Sequence, residues 1–331
     1  MKSAIRYLLL VLLVTLGTER TSWASRTGEP VPSPAQPYVR MTEWAKANHF
    51  DVQWLKPNQT LQLSNPSFKV VLGVDSREAQ INGVLVWLLF PAVSHNGVLC
   101  LAQPDVDLTL RPLLCPPRSR PGTRVRTICL DPGHGGKDPG NRVGANQEKQ
   151  YTLLLAEELR SQLARAGFKV TLTRKKDEFI ELPKRPALAK RQSADVFVSL
   201  HFNAADSGRN SVQGAEVYCL TPTGACSTNA RGEGASAGAC PGNRHNDRNF
   251  FLAYQVQKAL TRDLQAEDRG VRRARFAVLR DAVMPAVLIE AGFMSHPAEG
   301  RKIFTAAYRQ KMALAIVESL LAYKKAMEQP I

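Results

Sequence analysis

Two histidines and a glutamate have residue types and settings suited to binding a metal ion. His134 follows a predicted strand and stands in a glycine-rich loop, whose backbone can bend sharply and bring the imidazole to the edge of a sheet. His201 ends the apolar run Val196–Leu200, and Glu148 opens a predicted helix after the glycine-rich loop. Two imidazoles and one carboxylate form a three-ligand set that leaves zinc an open position for water. The pattern predicts a hydrolytic Zn²⁺ site at His134, Glu148 and His201.

Hydrolysis of an unreactive amide also needs a group that moves protons. Glu290 comes directly after the apolar strand Pro285–Ile289, where a carboxylate is held rigidly at the sheet edge. We expect it to be the general base.

Each of these residues has an ordinary structural explanation when taken alone. A single histidine after a strand is more often a satisfied polar residue than a ligand. Glu148 alone is typical of a first helical turn, where the helix dipole favours acids, and Glu290 alone fits a salt-bridge partner. The order of the four residues in these settings is what favours a catalytic site.

The elements needed to position these residues form an alternating pattern of strands and helices from residue 124 onwards, which predicts an α/β domain. We expect an open, mostly parallel twisted sheet with helices on both faces, preceded by a small strand-rich module. Parallel strands of such a sheet bring the residues at their carboxyl ends to one crevice. The predicted strands are 126–130, 168–173, 195–201, 215–220 and 286–290, and the predicted helices are 148–166, 186–192, 249–264 and 309–326.

The motifs across residues 124–326 resemble the zinc-dependent N-acetylmuramoyl-L-alanine amidase family, in its catalytic domain of the bacterial division and sporulation type. The matching pieces, in order, are Ile128–Gly140, Glu148-Lys149, Thr171–Arg174, Asp177 with Leu182 and Arg185, Val198–Ala204, Gly214–Tyr218 and Val287–Ser295.

The resemblance implies zinc ligands at His134, Glu148 and His201, a catalytic glutamate at Glu290, and cleavage of the amide between the lactyl group of N-acetylmuramic acid and L-alanine. Three further residues, Arg174, Arg185 and Asn203, lie at matching positions. For these, substrate binding and a structural role both remain open.

Three features depart from the family pattern. His296 stands where the family often has asparagine, and we interpret it as a surface-loop residue rather than a substrate contact. Residues 220–248 form an insertion rich in small and polar residues, which is typical of a mobile loop. His245 in this insertion is a candidate extra or inhibitory ligand, although an ordinary role is favoured. The insertion also contains Cys226 and Cys240, and a disulfide-closed surface loop is the plainer interpretation, although the spacing of the cysteines does not reveal their pairing.

The start of the chain predicts export. Lys2 and Arg6 precede an apolar run at 7–16 and a small-residue pattern ending at Ala24, which indicates a signal peptide over residues 1–24. A retained membrane anchor is the alternative, but the run is shorter than the ~20 residues that span a bilayer. We expect a periplasmic or cell-wall-associated protein with no stable membrane span after cleavage.

A Pro-rich tether at 25–37 leads to the accessory module at 38–115, and a linker at 116–123 follows it. The module has a predicted helix at 41–49 and short strands at 61–63, 68–72, 80–81 and 84–90, with a hairpin turn at Asn82-Gly83. This order of elements resembles the N-terminal domains of copper amine oxidases. A spacer or wall-facing module without chemistry is the favoured interpretation.

The formal net charge of +15 predicts attraction to an anionic partner. The charges are dispersed and lack the interleaved aromatic residues of a nucleic-acid platform, so we expect peptidoglycan and anionic envelope polymers rather than nucleic acid. The six cysteines contain no C-x-x-C pair, which favours disulfides or buried thiols over a thiolate zinc site.

Two other functions use the same fold. A catalytically silent wall-binding protein would have lost a ligand or the catalytic glutamate, and none is missing. A zinc peptidase cutting the stem peptide would differ only in its substrate pocket. The sequence does not identify a regulatory protein.

Overall fold

The computed structural model describes residues 37–119, 124–229 and 238–329. The predicted signal peptide, nearly all of the predicted tether and residues 120–123 of the predicted linker lie outside these ranges. In the described part of the chain, no helix is both long and apolar enough to cross a bilayer.

The strands are, in chain order, β1 Tyr38–Arg40, β2 Asp51–Lys56, β3 Thr60–Ser64, β4 Lys69–Gly73, β5 Ser76–Ile81, β6 Val84–His95, β7 Val98–Ala102, β8 Thr127–Pro132, β9 Arg142–Val143, β10 Asn146–Gln147, β11 Lys169–Leu172, β12 Val196–Asn203, β13 Ala215–Leu220, β14 Asp268–Ala274 and β15 Ala286–Phe293.

The helices are, in chain order, α1 Met41–Ala47, α2 Gln103–Asp105, α3 Arg111–Leu114, α4 Glu148–Arg165, α5 Lys184–Arg191, α6 Asn246–Leu264, α7 Ala277–Arg280, α8 Pro297–Ile303 and α9 Ala306–Glu328. A π-helical turn, Val106–Leu110, joins α2 to α3, and a 3₁₀ turn, Pro241–His245, leads into α6.

Thirteen of the described strands form one mixed sheet whose main path is β11-β8-β12-β15-β13-β14-β6-β5-β4-β3-β2, with β7 pairing with β6 and β1 with β7, while β9 and β10 form a separate two-stranded sheet. Strands β11, β8, β12 and β15 are parallel, β13 runs antiparallel to β15, and β14 is parallel to β13. Strands β2 to β6 form an antiparallel meander. The predicted α/β class, with its small strand-rich module at the front, is confirmed.

Alternate residues of the central strands face two different layers of helices. On β12, Val196, Val198 and Leu200 belong to the larger core, which includes α4, α6 and α9, whereas Phe197 packs in a second core with α5 and α7. Because side chains alternate along a strand, His201 lies on the same face as Phe197. The candidate site therefore lies on the α5 and α7 face, at the carboxyl ends of β8, β12 and β15.

The predicted elements of residues 124–326 are present, with ends that differ by a few residues. Helix α4 ends at Arg165 and Gly167 follows with φ +86°, a left-handed conformation that glycine adopts without a Cβ penalty. Strand β13 coincides with the predicted 215–220. Strand β14 and helices α7 and α8 are additional elements that the hydrophobic pattern did not predict.

The accessory module contains the predicted helix and hairpin. Asn82 and Gly83 have φ values of +48° and +81°, as a tight hairpin turn requires. The module also contains β1, β2, β7 and the helical turns between 103 and 114, which were not predicted. Pro104 and Pro112 each stand in the first turn of a short helix, where a missing amide hydrogen costs nothing.

The module and the strands of residues 124–326 share one sheet through a parallel pairing of β6 with β14 at Val86 and Val271. Gly270 makes this approach possible, since a Cβ there would lie 2.9 Å from Leu85 Cγ and 3.0 Å from Trp87 Cδ1. The amide of Leu85 also donates to Asp268 Oδ2 at 2.8 Å.

Candidate metal centre

His134 reaches the site through an unusual backbone conformation. It follows β8 with φ +61°, in the left-handed region that non-glycine residues adopt at a cost of about 1–3 kcal/mol when the surroundings enforce it. The preceding Gly133 has no room for a side chain, because a Cβ there would lie 2.3 Å from His201 Cε1. Close contact between the loop and β12 therefore brings the two imidazoles together, with ring centroids 5.0 Å apart.

Glu148 is the first residue of α4 and is almost completely buried. Gly140 lies directly against it, since a Cβ at Gly140 would come within 2.5 Å of both Glu148 Oε2 and His134 Cδ2. The two glycines thus leave the space that the three polar side chains fill.

The three side chains predicted as ligands converge in the structure. His134 Nε2 lies 3.0 Å from Glu148 Oε2, and His201 Nδ1 lies 3.0 Å from Glu148 Oε1. One donor atom from each residue lies within 4.8 Å of the other two. Tetrahedral ligands about 2.1 Å from a zinc ion are about 3.4 Å apart, so the spacing and chemistry of this donor set fit Zn²⁺.

Other groups fix the orientation of these side chains. His134 Nδ1 lies 2.8 Å from Asp138 Oδ2, which leaves Nε2 directed at Glu148. The carboxylate of Glu148 accepts hydrogen bonds from the amides of Asn141 at 2.9 Å and Phe202 at 3.1 Å. Carboxylate partners of this kind orient metal-binding histidines and raise their basicity.

The electrostatics of the cluster favour a cation. Burial would raise the pKa of Glu148, but hydrogen bonds with His134 and His201 outweigh it and hold that pKa well below its ordinary value. Burial likewise would lower the pKa of His134, yet its contacts with Glu148 and Asp138 raise it. Two carboxylates beside His134 thus stabilise positive charge at this position.

Glu290 lies next to the cluster on β15. It is the direct neighbour of His201 in the pairing of β12 with β15, and of Glu216 in the pairing of β13 with β15. Its Oε2 is buried without a hydrogen-bond partner among the described residues. Burial, and then the charges of Glu148 and Glu216, raise the pKa of Glu290 well above its ordinary value.

The buried Arg185 holds the loop that contains His134 in place. Its guanidinium donates to Asp131 Oδ1 at 2.9 Å, to the carbonyl of Pro132 at 3.0 Å and to the carbonyl of His134 at 2.9 Å. Asp131 is completely buried and accepts a further hydrogen bond from Ser199 on β12.

Arg174 is equally buried and joins the loop to α4. It donates to the carbonyls of Pro132, Gly133 and Lys149 at 2.9, 2.8 and 2.7 Å. These contacts give both arginines a structural part in shaping the loop. Asn203 instead donates through Nδ2 to Glu216 Oε1 at 2.9 Å.

The remaining candidate residues have other partners. His245 Nε2 lies 3.0 Å from the carbonyl of Val283, and the residue is not part of the metal-binding group found among the described residues. His296 Nδ1 accepts from the amide of Glu299 and so caps α8. All six cysteines are free, so no disulfide closes the insertion in this structure.

Sequence reasoning missed Asp138 and Glu216 as parts of the site. A carboxylate four residues after His134 in the same glycine-rich loop is a usable signal for Asp138. Glu216 has a weaker signal, because it becomes significant only when β13 is known to pair with β15.

This sheet and donor set define an α/β protein with a candidate metal centre at the carboxyl ends of its central strands. Residues 128–322 match the N-acetylmuramoyl-L-alanine amidase family, Amidase_3. The chain belongs to this family.

Individual relatives agree with that assignment. N-acetylmuramoyl-L-alanine amidase AmiC of Neisseria meningitidis is 36% identical over 243 residues, which cover 67% of this chain and 58% of AmiC. AmiA of Escherichia coli is 32% identical over 62% of this chain and 79% of AmiA. The crystal structure of an N-acetylmuramoyl-L-alanine amidase from Clostridium difficile superposes with a TM-score of 0.52 at 33% identity, covering 61% of this chain and 97% of that one.

Proposed function

We propose that this protein is a zinc-dependent amidase that hydrolyses the bond between the lactyl group of N-acetylmuramic acid and L-alanine in peptidoglycan. The observation that supports this most strongly is the convergence of His134, Glu148 and His201 beside Glu290 in a chain of the amidase family. In this proposal the three converging residues hold Zn²⁺.

Bound zinc would supply a Lewis acid that polarises the amide carbonyl and lowers the pKa of water. Glu290 takes the proton from the attacking water and later gives it to the departing L-alanine nitrogen. Its raised pKa suits both steps, because a carboxylate with an elevated pKa is a stronger base when ionised and holds the proton long enough to return it.

Asp138 keeps His134 in the orientation that leaves Nε2 free for the metal. Arg185 and Arg174 hold the carbonyl groups of the loop, and so keep the metal-binding edge of the sheet rigid. The geometry is thereby set before substrate binds, which reduces the reorganisation needed during reaction.

Export to the cell envelope belongs to the same proposal. The signal-peptide pattern at 1–24 and the net charge of +15 both fit a protein that works on an anionic wall outside the cytoplasm. The tether at 25–37 and the linker at 116–123 would then flank the accessory module.

Replacing Glu290 by glutamine tests the catalytic part of the proposal. The substitution removes the proton acceptor but keeps size and polarity, so zinc content should stay at the wild-type level. Because general acid–base catalysis contributes about 10²–10⁴-fold, kcat on a soluble muropeptide should fall by that factor.

Glu181→Gln is a matched control, since that glutamate is exposed and its ion pair among the described residues is with the exposed Lys184. Full activity of Glu290→Gln would exclude Glu290 as the base. Loss of zinc from this variant would instead assign it to the metal site.

A further inference from the structure

A row of side chains crosses one face of the sheet from the accessory module to the candidate site. Trp87 of β6 begins it. Its indole Nε1 donates to the carbonyl of Arg269 at 3.1 Å, and its ring lies 4.3 Å from the guanidinium carbon of Arg272. Trp87 therefore contacts both arginines that follow on β14.

The two arginines share one carboxylate oxygen on the next strand. Arg272 Nε lies 3.0 Å and Arg269 Nε 3.2 Å from Glu216 Oε2. The other oxygen of Glu216 accepts from Asn203 Nδ2 at 2.9 Å and from the hydroxyl of Tyr218 at 3.0 Å. Glu216 is only 4% exposed, and these four donors fix its carboxylate in one position.

That position matters because Glu216 stands directly opposite Glu290 across β13 and β15. Like charges at facing positions of a sheet repel one another. The two arginines balance the charge of Glu216 and direct its carboxylate to themselves, while Glu290 Oε2 keeps no hydrogen-bond partner among the described residues. Without this anchor the charge of Glu216 would be uncompensated opposite Glu290, and repulsion between the two carboxylates would displace the Glu290 side chain from its position.

We propose that Trp87 is a positioning residue for catalysis: through Arg269 and Arg272 it anchors Glu216, and so keeps Glu290 available to the substrate. The accessory module is then a working part of the active site rather than a spacer. The inference rests on the proposed function, in which Glu290 moves the proton.

The junction between the module and β14 is built to hold this contact. Gly270 allows Leu85 and Trp87 to lie against the backbone of β14, and Arg273 Nη1 donates to the carbonyl of Trp87 at 3.1 Å. The guanidinium of Arg273 also lies 4.5 Å from the ring of Phe250 on α6. The backbone of Trp87 is thus fixed independently of its side chain, and substitution of the indole should leave the strand in place.

The test compares Trp87→Ala and Trp87→Phe with Trp44→Ala in the full-length, zinc-loaded protein. Trp44 lies on α1 in the same module and packs against Phe50, so its loss controls for general destabilisation of the module. The measurements are kcat and KM on a soluble muropeptide, zinc content and the midpoint of thermal unfolding.

We expect Trp87→Ala to lower kcat about tenfold relative to Trp44→Ala, with KM and zinc content unchanged, because small misplacements of a catalytic group cost up to about 10²-fold. Trp87→Phe keeps an aromatic face for Arg272 and should recover most of that loss.

A kcat of Trp87→Ala within twofold of that of Trp44→Ala would overturn the inference, as would a loss confined to KM or zinc. If Trp87→Ala does not fold, Arg272→Lys gives the same test: it keeps the charge but loses the planar group that stacks on Trp87. An unchanged kcat in that variant would also overturn it. No cleavage by the zinc-loaded wild-type protein would instead overturn the proposed function, and this inference with it.

Discussion

Asp138 is the residue that most directly controls the orientation of a proposed metal ligand. Its carboxylate lies 2.8 Å from His134 Nδ1 and is the only side-chain partner that the described residues offer that nitrogen. Such partners typically contribute about 10–100-fold to metal affinity.

Asp138→Asn should therefore weaken zinc binding by about 10–100-fold without unfolding the protein. Competition with a chelator of known affinity measures this directly. Asp206→Asn, an exposed acid, serves as the control. Equal affinities in the two variants would contradict a role for Asp138 in the site.

The raised pKa of Glu290 predicts the acid side of the pH profile. Because the base acts only when ionised, kcat/KM should rise as pH increases through this pKa, which burial and then the charges of Glu148 and Glu216 place above the ordinary glutamate value of about 4.3. The measurement is kcat/KM against pH, with zinc content followed over the same range. An acid limb at or below the ordinary glutamate value, with zinc retained, would contradict this assignment.

At the residue scale, the sequence predicted those site residues that lie at the ends of predicted strands or helices. His134, Glu148, His201 and Glu290 each follow or begin a predicted element, so their settings are visible in the chain. The part played by Glu216 depends on which strands are neighbours and on a pairing with Arg272 from a strand that was not predicted. Contacts between strands that are far apart in the chain leave no signal in the local sequence.

At the scale of elements, the loop after β8 is held by buried charge. The pair formed by Arg185 and Asp131 has both side chains at most 2% exposed, and the same guanidinium supports the carbonyls of Pro132 and His134. Removing one partner of a buried ion pair leaves the other without compensation, at a cost of about 3–5 kcal/mol.

Arg185→Ala should thus lower the free energy of unfolding of the zinc-free protein by about 3–5 kcal/mol. Urea denaturation of the zinc-free form separates this effect from metal binding. The neighbouring Lys184→Ala removes an exposed pair with Glu181 and should change stability by less than about 1 kcal/mol. Similar losses in both variants would show that Arg185 does not brace the loop.

Strand β14, one of the elements that the sequence missed, places polar side chains inside the protein. Strand β14 contains Arg269, Arg272 and Arg273, and a hydrophobic pattern treats such residues as exposed. Arg273 is nevertheless only 1% exposed, because it donates to the carbonyls of Trp87 and Leu108 and stacks on Phe250. An arginine that is buried through hydrogen bonds to carbonyls far away in the chain leaves no periodic hydrophobic pattern in the sequence.

At the scale of the whole molecule, the accessory module and the amidase-like strands share a single sheet through β6 and β14. The sequence predicted the α/β class and the strand-rich module, because the change from short strands to alternating strands and helices is visible in composition. The sequence did not predict that the module and these strands share a sheet. The contact between β6 and β14 depends on Gly270 and Trp87, and neither residue belongs to a recognisable motif.

The most direct test of the central claim is digestion of purified peptidoglycan by the zinc-loaded protein, with and without a chelator, followed by mass spectrometry of the products. The account predicts intact stem peptides with a free L-alanine amine, no such products after chelation, and recovery when zinc is restored. Cleavage within the stem peptide would contradict the proposed bond, full activity of the metal-free protein would contradict the metal centre, and binding without any products would contradict catalysis itself.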